Sequence, residues 1–268
     1  MAKPFLKWAG GKQQLMESIL AKKPASFSRF VEPMVGGGAV LFSLAPERAL
    51  INDLNEELIS AYLQVKESPA EVHEQLMLLA QDSETYYRLR RSDRDEGLNT
   101  WPAAKRAART IYLNKLGYNG LYRVNSSGQF NVPYSKRSNV RFELSEILES
   151  SRILANCEIT NGTYLDVLER LDENDWVYFD PPYLPITETS KFTEYTSGGF
   201  HWDDHVRLKE ACDNLNARGI KFLLSNSHAV QILNLYSEYN ISVVFARRNI
   251  NSDSSKRGRI PEVLISNY

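Results

Sequence analysis

Residues 176–183 read Trp176-Val177-Tyr178-Phe179-Asp180-Pro181-Pro182-Tyr183. Four consecutive apolar residues bounded by a proline turn spell a buried strand, of the kind found inside parallel sheets. Two prolines in succession fix the chain directly after it and remove two N–H donors. The carbonyls of Asp180 and Pro181 are left as acceptors on a rigid support. They sit at the carboxyl end of the strand, where open α/β sheets place their ligands. Tyr183 adds an aromatic ring. Acceptors beside a ring that stacks suit a planar base carrying an amino group.

Upstream, Arg29–Pro33 reads as a short buried strand, followed by Gly36-Gly37-Gly38 and an apolar helix start at Ala39–Leu44. Strand, glycine loop and helix together let a backbone approach a ligand closely and offer the helix N–H groups to it. A second strand at Ala49–Ile51 runs into Asn52-Asp53, where an acidic side chain is placed to accept hydrogen bonds from ribose hydroxyls. The competing reading is a glycine turn that only reverses the chain. Leu41 stands where a dinucleotide fingerprint would have its last glycine, which weakens a dinucleotide and leaves an adenosyl ligand open.

Asn55 to about Gln81 has a helical apolar face (Leu58, Ile59, Tyr62, Leu63, Val65) that Pro69 should split. Further strands are expected at Glu158–Asn161, Lys221–Ser225, Ile241–Ala246 and Pro261–Ser266, the last two as a closing pair. Strands alternating with helices predict an α/β fold with a mostly parallel, Rossmann-like sheet. The middle of the chain differs. Gly97–Phe142 contains no Asp or Glu but eight cations: Lys105, Arg106, Arg109, Lys115, Arg123, Lys136, Arg137 and Arg141. Within it, Leu121–Val124 and Gln129–Tyr134 flank Asn125-Ser126-Ser127-Gly128, a hairpin signal. The expected organisation is a catalytic core at 1–55 and 156–268, with an inserted helical and β-hairpin domain at 56–155.

Bulk properties set outer limits. The 268 residues carry a net charge of −1, with 43% hydrophobic and 24% charged residues, ordinary for a globular chain. Any nucleic-acid surface must therefore come from local clustering, and the acid-free stretch is where phosphates would be attracted; the bland reading is a helix face that pairs with acids elsewhere. A second cluster, Arg247, Arg248, Lys256, Arg257 and Arg259, is either a backbone grip or an exposed loop. Cys157 and Cys212 give neither zinc spacing nor a disulfide framework, which suggests a reducing, cytoplasmic setting. The N-terminus lacks the apolar run of a signal peptide, and no segment has the ~18 uninterrupted apolar residues of a membrane span. His201 and His205 lack the adjacent Glu and third ligand of a helical zinc site, and Gly10-Gly11-Lys12 lacks the rest of a phosphate loop. No metal is expected.

Three motifs occur in order: Phe5-Leu6-Lys7-Trp8-Ala9-Gly10-Gly11-Lys12, Val31-Glu32-Pro33-Met34-Val35-Gly36-Gly37-Gly38, and Asp180-Pro181-Pro182-Tyr183. With them stand Asn119-Gly120-Leu121-Tyr122-Arg123-Val124-Asn125, Phe130-Asn131-Val132-Pro133-Tyr134 and Phe192-Thr193-x-Tyr195. Over nearly the whole chain this resembles the α-group adenine-N6 DNA methyltransferases, particularly the Dam and Dpn-type enzymes that modify GATC.

The resemblance implies S-adenosylmethionine as cofactor, double-stranded DNA as partner without an obligate protein partner, and a flipped adenine as target. It implies that Trp8, Lys12, Gly36, Gly38 and Asp53 hold the cofactor, with the backbone of Tyr164 serving where some relatives have Asp at the position of Thr163. It implies that Asp180 and Pro181 act on the adenine amino group, with Asp180 also touching the cofactor, and that Tyr183 stacks on the base. Lys7, Tyr118, Asn119, Leu121 and Arg123 would contact or wedge into the site, with either Lys136 or Arg137 as a base-reading cation. Alternatives are an RNA or protein amino-group methyltransferase, a catalytically silent DNA-binding module, and a nicotinamide oxidoreductase that would leave the double proline without a role.

Overall fold

Strand β4 (Asp175–Phe179) is buried along its whole length and pairs in parallel with β1 (Arg29–Glu32) on one side and β5 (Lys221–Ser227) on the other. In the computed structural model, which describes residues 3–8, 12–95, 97–137, 139–185, 200–247 and 259–268, these belong to a seven-stranded sheet. The other strands are β2 (Ala49–Asp53), β3 (Cys157–Asn161), β6 (Asn240–Arg247) and β7 (Arg259–Ser266), in the order β3-β2-β1-β4-β5-β7-β6. β7 lies antiparallel between β5 and β6, which is the expected closing pair. The strand order reverses at β1 and β4, so their carboxyl ends flank a topological switch point, the usual ligand position in open α/β sheets.

The chain divides into two compact units. One comprises Lys12–Met34, Arg48–Leu50 and Thr163–Tyr268, the other Met1–Gly11, Val35–Glu47 and Ile51–Gly162. In the first, side-chain alternation sorts the sheet into two faces. Val31, Val177, Phe179, Phe222, Leu224, Val263 and Ile265 point into an apolar core with Leu208, Cys212 and Leu215 of helix α9 (Trp202–Ala217). Residues of opposite parity, Tyr178, Ser225 and Glu262 among them, share the other face. α9 begins where Asp204 accepts the N–H of His201 at 2.8 Å, so His201 closes a helix terminus. His205 is buried against Phe200, with both ring nitrogens unpartnered. Helix α1 (Met16–Ala21) belongs to the same unit.

The other unit is largely helical and includes α2 (Ala39–Leu44), which follows the glycine loop. Asn55 caps α3 (Glu56–Glu67) by accepting the N–H of Leu58, and Glu56 and Glu57 in the first turn suit the helix dipole. Ser68 and Pro69 end α3 and start α4 (Pro69–Met77), as the proline predicts. Asp82 caps α5 (Ser83–Arg91), whose last turn carries Arg88, Arg90 and Arg91. α6 (Ala103–Leu116) is buried over most of its length and packs against α3, α4 and α5. α7 (Leu144–Leu154) completes the cluster.

Two expectations need correction. The hairpin around Asn125 forms no regular strand pair. Only isolated bridges join Val124 to Phe130 and Gly117 to Tyr134. Asn119 and Lys136 adopt left-handed φ of 56° and 57° on the two arms, which stops an extended ladder from propagating. The reversal is held by backbone bonds from the Asn125 N–H to the Gln129 carbonyl and from the Asn131 N–H to the Arg123 carbonyl, and by side chains. Asn125 Oδ1 accepts the N–H groups of Ser127 and Gln129, and Arg123 donates Nε–H to Asn131 Oδ1 at 2.7 Å.

The acid-free stretch is also less basic than its composition suggests. Arg106 pairs with Glu57, Arg109 with Asp93, and Lys115 with Glu146, all acids from outside the stretch. Arg109 is buried inside the helical cluster and unavailable to a phosphate. Arg123, Lys136 and Arg137 remain exposed. Of the second basic cluster, Arg247 and Arg259 are backbone partners in the β6–β7 register, and Arg248, Lys256 and Arg257 lie outside the described residues. So do Gly10, Gly11 and the Phe192-Thr193-x-Tyr195 motif.

Candidate active site

At the end of β4 the Asp180 carboxylate is held from two sides. Lys12 Nζ lies 2.7 Å from Oδ1, and Ser225 donates to the same oxygen at 3.0 Å. Ser225 Oγ also lies 3.0 Å from the Tyr178 hydroxyl. Parity explains the cluster: Tyr178 and Asp180 are two apart along β4, and β5 runs beside it in a register that turns Ser225 to the same face. Pro181 is buried, whereas Pro182 is exposed. The chain leaving the turn is pinned where the Leu184 N–H donates to Asn226 Oδ1 and Ser227 Oγ donates to the Leu184 carbonyl.

The Tyr183 ring sits under the Lys12 ammonium, 4.5 Å from ring centroid to Nζ, and its hydroxyl donates to Glu262 Oε2 at 3.0 Å. Burial drives the Tyr183 phenol far above its ordinary pKa, and the negative charges of Asp180 and Glu262 add to this. The ring is therefore a neutral phenol at every physiological pH. Lys12, although 4% exposed, is neutralised by Asp180, so the cluster buries a charge pair and not a lone charge. Tyr164 opens helix α8 (Tyr164–Leu168), half-buried against the apolar core of its unit. Thr163 is occupied as the cap of that helix, in a capping box with Asp166, which is a structural use of the side chain.

In the other unit, Asp53 closes the glycine loop. Its Oδ2 accepts the Gly36 N–H and its Oδ1 the Asn55 N–H, both at 3.0 Å. Burial raises the Asp53 pKa, and the N–H groups of Asn55, Gly36 and Leu54 pull the other way. With about four lone-pair sites, the carboxylate retains room for a further donor beyond these N–H groups. Leu54 beside it is 75% exposed, a bare apolar side chain next to a hydrogen-bonding carboxylate. The loop has no room for side chains. A Cβ at Gly36 would stand 2.8 Å from the Trp8 indole, and one at Gly38 2.7 Å from the Tyr62 hydroxyl. Trp8 lies against this loop and stacks on Tyr122, with centroids 5.4 Å apart, and Tyr122 meets Phe130 edge-on.

The same unit gathers the candidate DNA-facing residues. Asn114, buried in α6, accepts the Lys7 N–H at 2.8 Å and donates to the Lys7 and Gly120 carbonyls. One amide thus clamps the N-terminal segment to the 117–121 turn. The Lys7 side chain crosses Gly120 so closely that a Cβ there would lie 2.6 Å from Lys7 Cβ. Burial and the charge of Arg137 lower the Lys7 pKa. Tyr118, 53% exposed, and Asn119 project from the turn, Leu121 is half-buried, and Arg123, Lys136 and Arg137 line the arms of the reversal.

Five contributors escaped the sequence reading: Ser225, Glu262, Leu54, Asn114 and Asp93. Leu54 had a local signal, being an apolar residue directly after the strand-end acid. The others depend on register or helix packing and had none.

An open α/β sheet with an acid on a proline-fixed turn at its switch point has the layout of a ligand site at the carboxyl ends of the strands. The chain belongs to the D12 class N6 adenine-specific DNA methyltransferases, whose family pattern it matches over residues 8–250. It is 42% identical to the type II methyltransferase M1.LlaDCHI of Lactococcus lactis subsp. cremoris, over 99% of this chain and 95% of that one. It is 41% identical to the type II methyltransferase M.MjaIII of Methanocaldococcus jannaschii, over 99% of each. The DNA adenine methylase of Escherichia coli strain K12 is 33% identical over 97% of this chain and 93% of its own. Among solved structures, a precorrin-6y C5,15-methyltransferase from Geobacter metallireducens is a distant likeness, at TM-score 0.41 and 10% identity over 99% of this chain and 98% of that one. No helix among the described residues is long and apolar enough to cross a membrane.

Proposed function

We propose that this enzyme methylates N6 of an adenine flipped out of double-stranded DNA, within the sequence GATC, using S-adenosylmethionine. The observation that carries the reading is Asp180 on its Pro181-Pro182 support, with an oxygen fixed by Lys12 and Ser225 and the Tyr183 ring beside it. Adenine N6 is a poor nucleophile because its lone pair is delocalised into the ring. The Asp180 carboxylate and the Pro181 carbonyl accept its two hydrogens and draw the nitrogen toward tetrahedral geometry, freeing the lone pair for in-line attack. Fixed placement of these acceptors supplies much of the acceleration. Asp180 holds the proton-bearing nitrogen, and the proton leaves to solvent after transfer. Tyr183 receives the base by stacking.

The residues around the glycine loop fit the cofactor. A carboxylate with remaining acceptor capacity at Asp53 suits a ribose hydroxyl, and exposed Leu54 beside it suits an adenine face. The cofactor, when bound, supplies an electrophilic methyl group. Trp8, Lys12, Gly36, Gly38, Asp53, the Tyr164 backbone and Asp180 would hold it. Lys7, Tyr118, Asn119, Leu121, Arg123 and one of Lys136 and Arg137 would engage the duplex, from a recognition segment spanning residues 56–155.

The test is labelled methyl transfer to two duplexes that differ only in one GATC, followed by nucleoside analysis, for the parent and Asp180→Ala. N6-methyladenine confined to the GATC duplex, and lost in a folded Asp180→Ala, is the expected result. Methylation of both duplexes would discard the site, and undiminished turnover in Asp180→Ala would discard the mechanism.

A further inference from the structure

We infer that Glu262 is a positioning residue for the target base, acting through the hydroxyl of Tyr183. The inference rests on the reading that Tyr183 stacks on the flipped adenine. A tyrosine ring attached by two rotatable bonds presents a defined face only if something fixes its plane. Lys12 lies over the ring but is a point charge on a flexible stem, and it bonds Asp180 as well. The charged directional restraint is the hydrogen bond from the Tyr183 hydroxyl to Glu262 Oε2, with the Ser225 hydroxyl as a neutral neighbour of the same phenol. Glu262 is itself on rigid ground, in β7 with Ser227 of β5 opposite on one side and Val244 of β6 on the other. Its neighbours Val263 and Ile265 anchor the strand in the apolar core.

The acceptor is also suited in kind. A phenol donating to a carboxylate forms a charge-assisted bond, shorter and stronger than one to a neutral acceptor. That bond also enriches the ring in electron density, which strengthens its attraction for the Lys12 ammonium. Strand β7 thus sets the angle of a ring 79 residues earlier in the chain. Glu262 touches neither N6 nor the methyl donor in this scheme, so its loss should disturb the bound base and leave duplex affinity intact.

The experiment uses the full chain with a GATC duplex, unmodified for kinetics and carrying 2-aminopurine in place of the target adenine for fluorescence lifetime. The variants are Glu262→Gln, Glu262→Ala, Tyr183→Phe, the Glu262→Ala/Tyr183→Phe double variant and Tyr183→Ala, each checked for parental melting. Glu262→Ala and Tyr183→Phe should each lower kcat about tenfold, with KM for DNA unchanged and the lifetime lengthened as stacking loosens. The double variant should be no worse than either single one, and Glu262→Gln, which keeps an acceptor, should recover most of the rate. If Glu262→Ala keeps the parental kcat and lifetime while Tyr183→Ala is impaired, the positioning role is wrong. Additive losses in the double variant would overturn it too. If Tyr183→Ala itself leaves kcat and lifetime unchanged, the stacking role of Tyr183 fails, an outcome distinct from the first.

Discussion

Asp93→Ala should unfold the support of the DNA-facing reversal while leaving the chemical centre untouched. The Asp93 carboxylate accepts the Phe130 N–H at 2.7 Å and lies 3.2 Å from Arg109 Nη2 and 2.6 Å from Arg94 Nη1. Phe130 is followed by Asn131, whose Oδ1 holds Arg123, so the carboxylate is three links from a candidate base contact. Its removal leaves a buried N–H without its acceptor, a loss of about 1–3 kcal/mol. It also leaves the Arg109 guanidinium, 4% exposed, with Glu57 at 4.0 Å as its nearest remaining counter-charge. Breaking a buried pair in this way costs about 3–5 kcal/mol. The two losses share one carboxylate and overlap, so the total expected is about 3–5 kcal/mol and not their sum. Asp93→Asn keeps an acceptor for Phe130 and should lose only part of this. Urea unfolding followed by far-UV circular dichroism measures the stability, and initial rates across duplex concentrations measure function. KM for DNA should rise with kcat little changed. A variant that unfolds within about 0.5 kcal/mol of the parent, or one that loses kcat at constant KM, would refute the reasoning.

Three further outcomes are expected. Gly38→Ala must hold a φ of +66° and push the Tyr62 hydroxyl off the Gly36 carbonyl, which it now meets at 3.0 Å. The combined cost is about 2–3 kcal/mol, read as a lower melting temperature and a raised KM for S-adenosylmethionine. Ser225→Ala removes one of the two groups fixing Asp180 and also the partner of the buried Tyr178 hydroxyl, so single-turnover methyl transfer should slow several-fold and stability should fall by about 1–3 kcal/mol. Burial lowers the His205 pKa from 6.5 to about 4, with Asp204 opposing weakly. The unfolded chain therefore binds the extra proton first, and stability present above pH 6.5 is lost as pH falls toward 4. The difference between parent and His205→Phe should reach at most about 3 kcal/mol over that window; parallel stability curves would show that His205 is not the group responsible.

The central strands β1, β2 and β4 were legible because each is an apolar run ended by a proline or an acid and buried along most of its length. Val31, Val177 and Leu224 needed no knowledge of their partners to be placed inside. The reversal at 117–135 was read as a hairpin from its turn residues, but turn chemistry specifies where a chain bends and not how far a ladder extends. Left-handed Asn119 and Lys136 decide that; asparagine favours that region more than most residues, whereas lysine gives no such signal. The cation count failed for a related reason. Glu57, Asp93 and Glu146 lie outside the acid-free window and reach into it through helix packing, so a local composition could not register them.

The chemical centre follows a rule that connects these cases. Along β4 the even positions Tyr178 and Asp180 share a face, and parallel pairing of Tyr178 with Leu223 turns Ser225 toward the same side. Antiparallel pairing of Ser225 with Leu264 and of Ser227 with Glu262 then carries the polar column on to β7. The opposite parity on all three strands is apolar and packs on α9. Three segments separated by tens of residues therefore deliver Asp180, Ser225 and Glu262 to one face through alternation alone. A one-residue slip of β7 against β5 would turn Glu262 into the apolar core and Val263 toward Tyr183, an exchange of a carboxylate for a valine that burial forbids. The register that protects the core is the same register that places the carboxylate at the tyrosine.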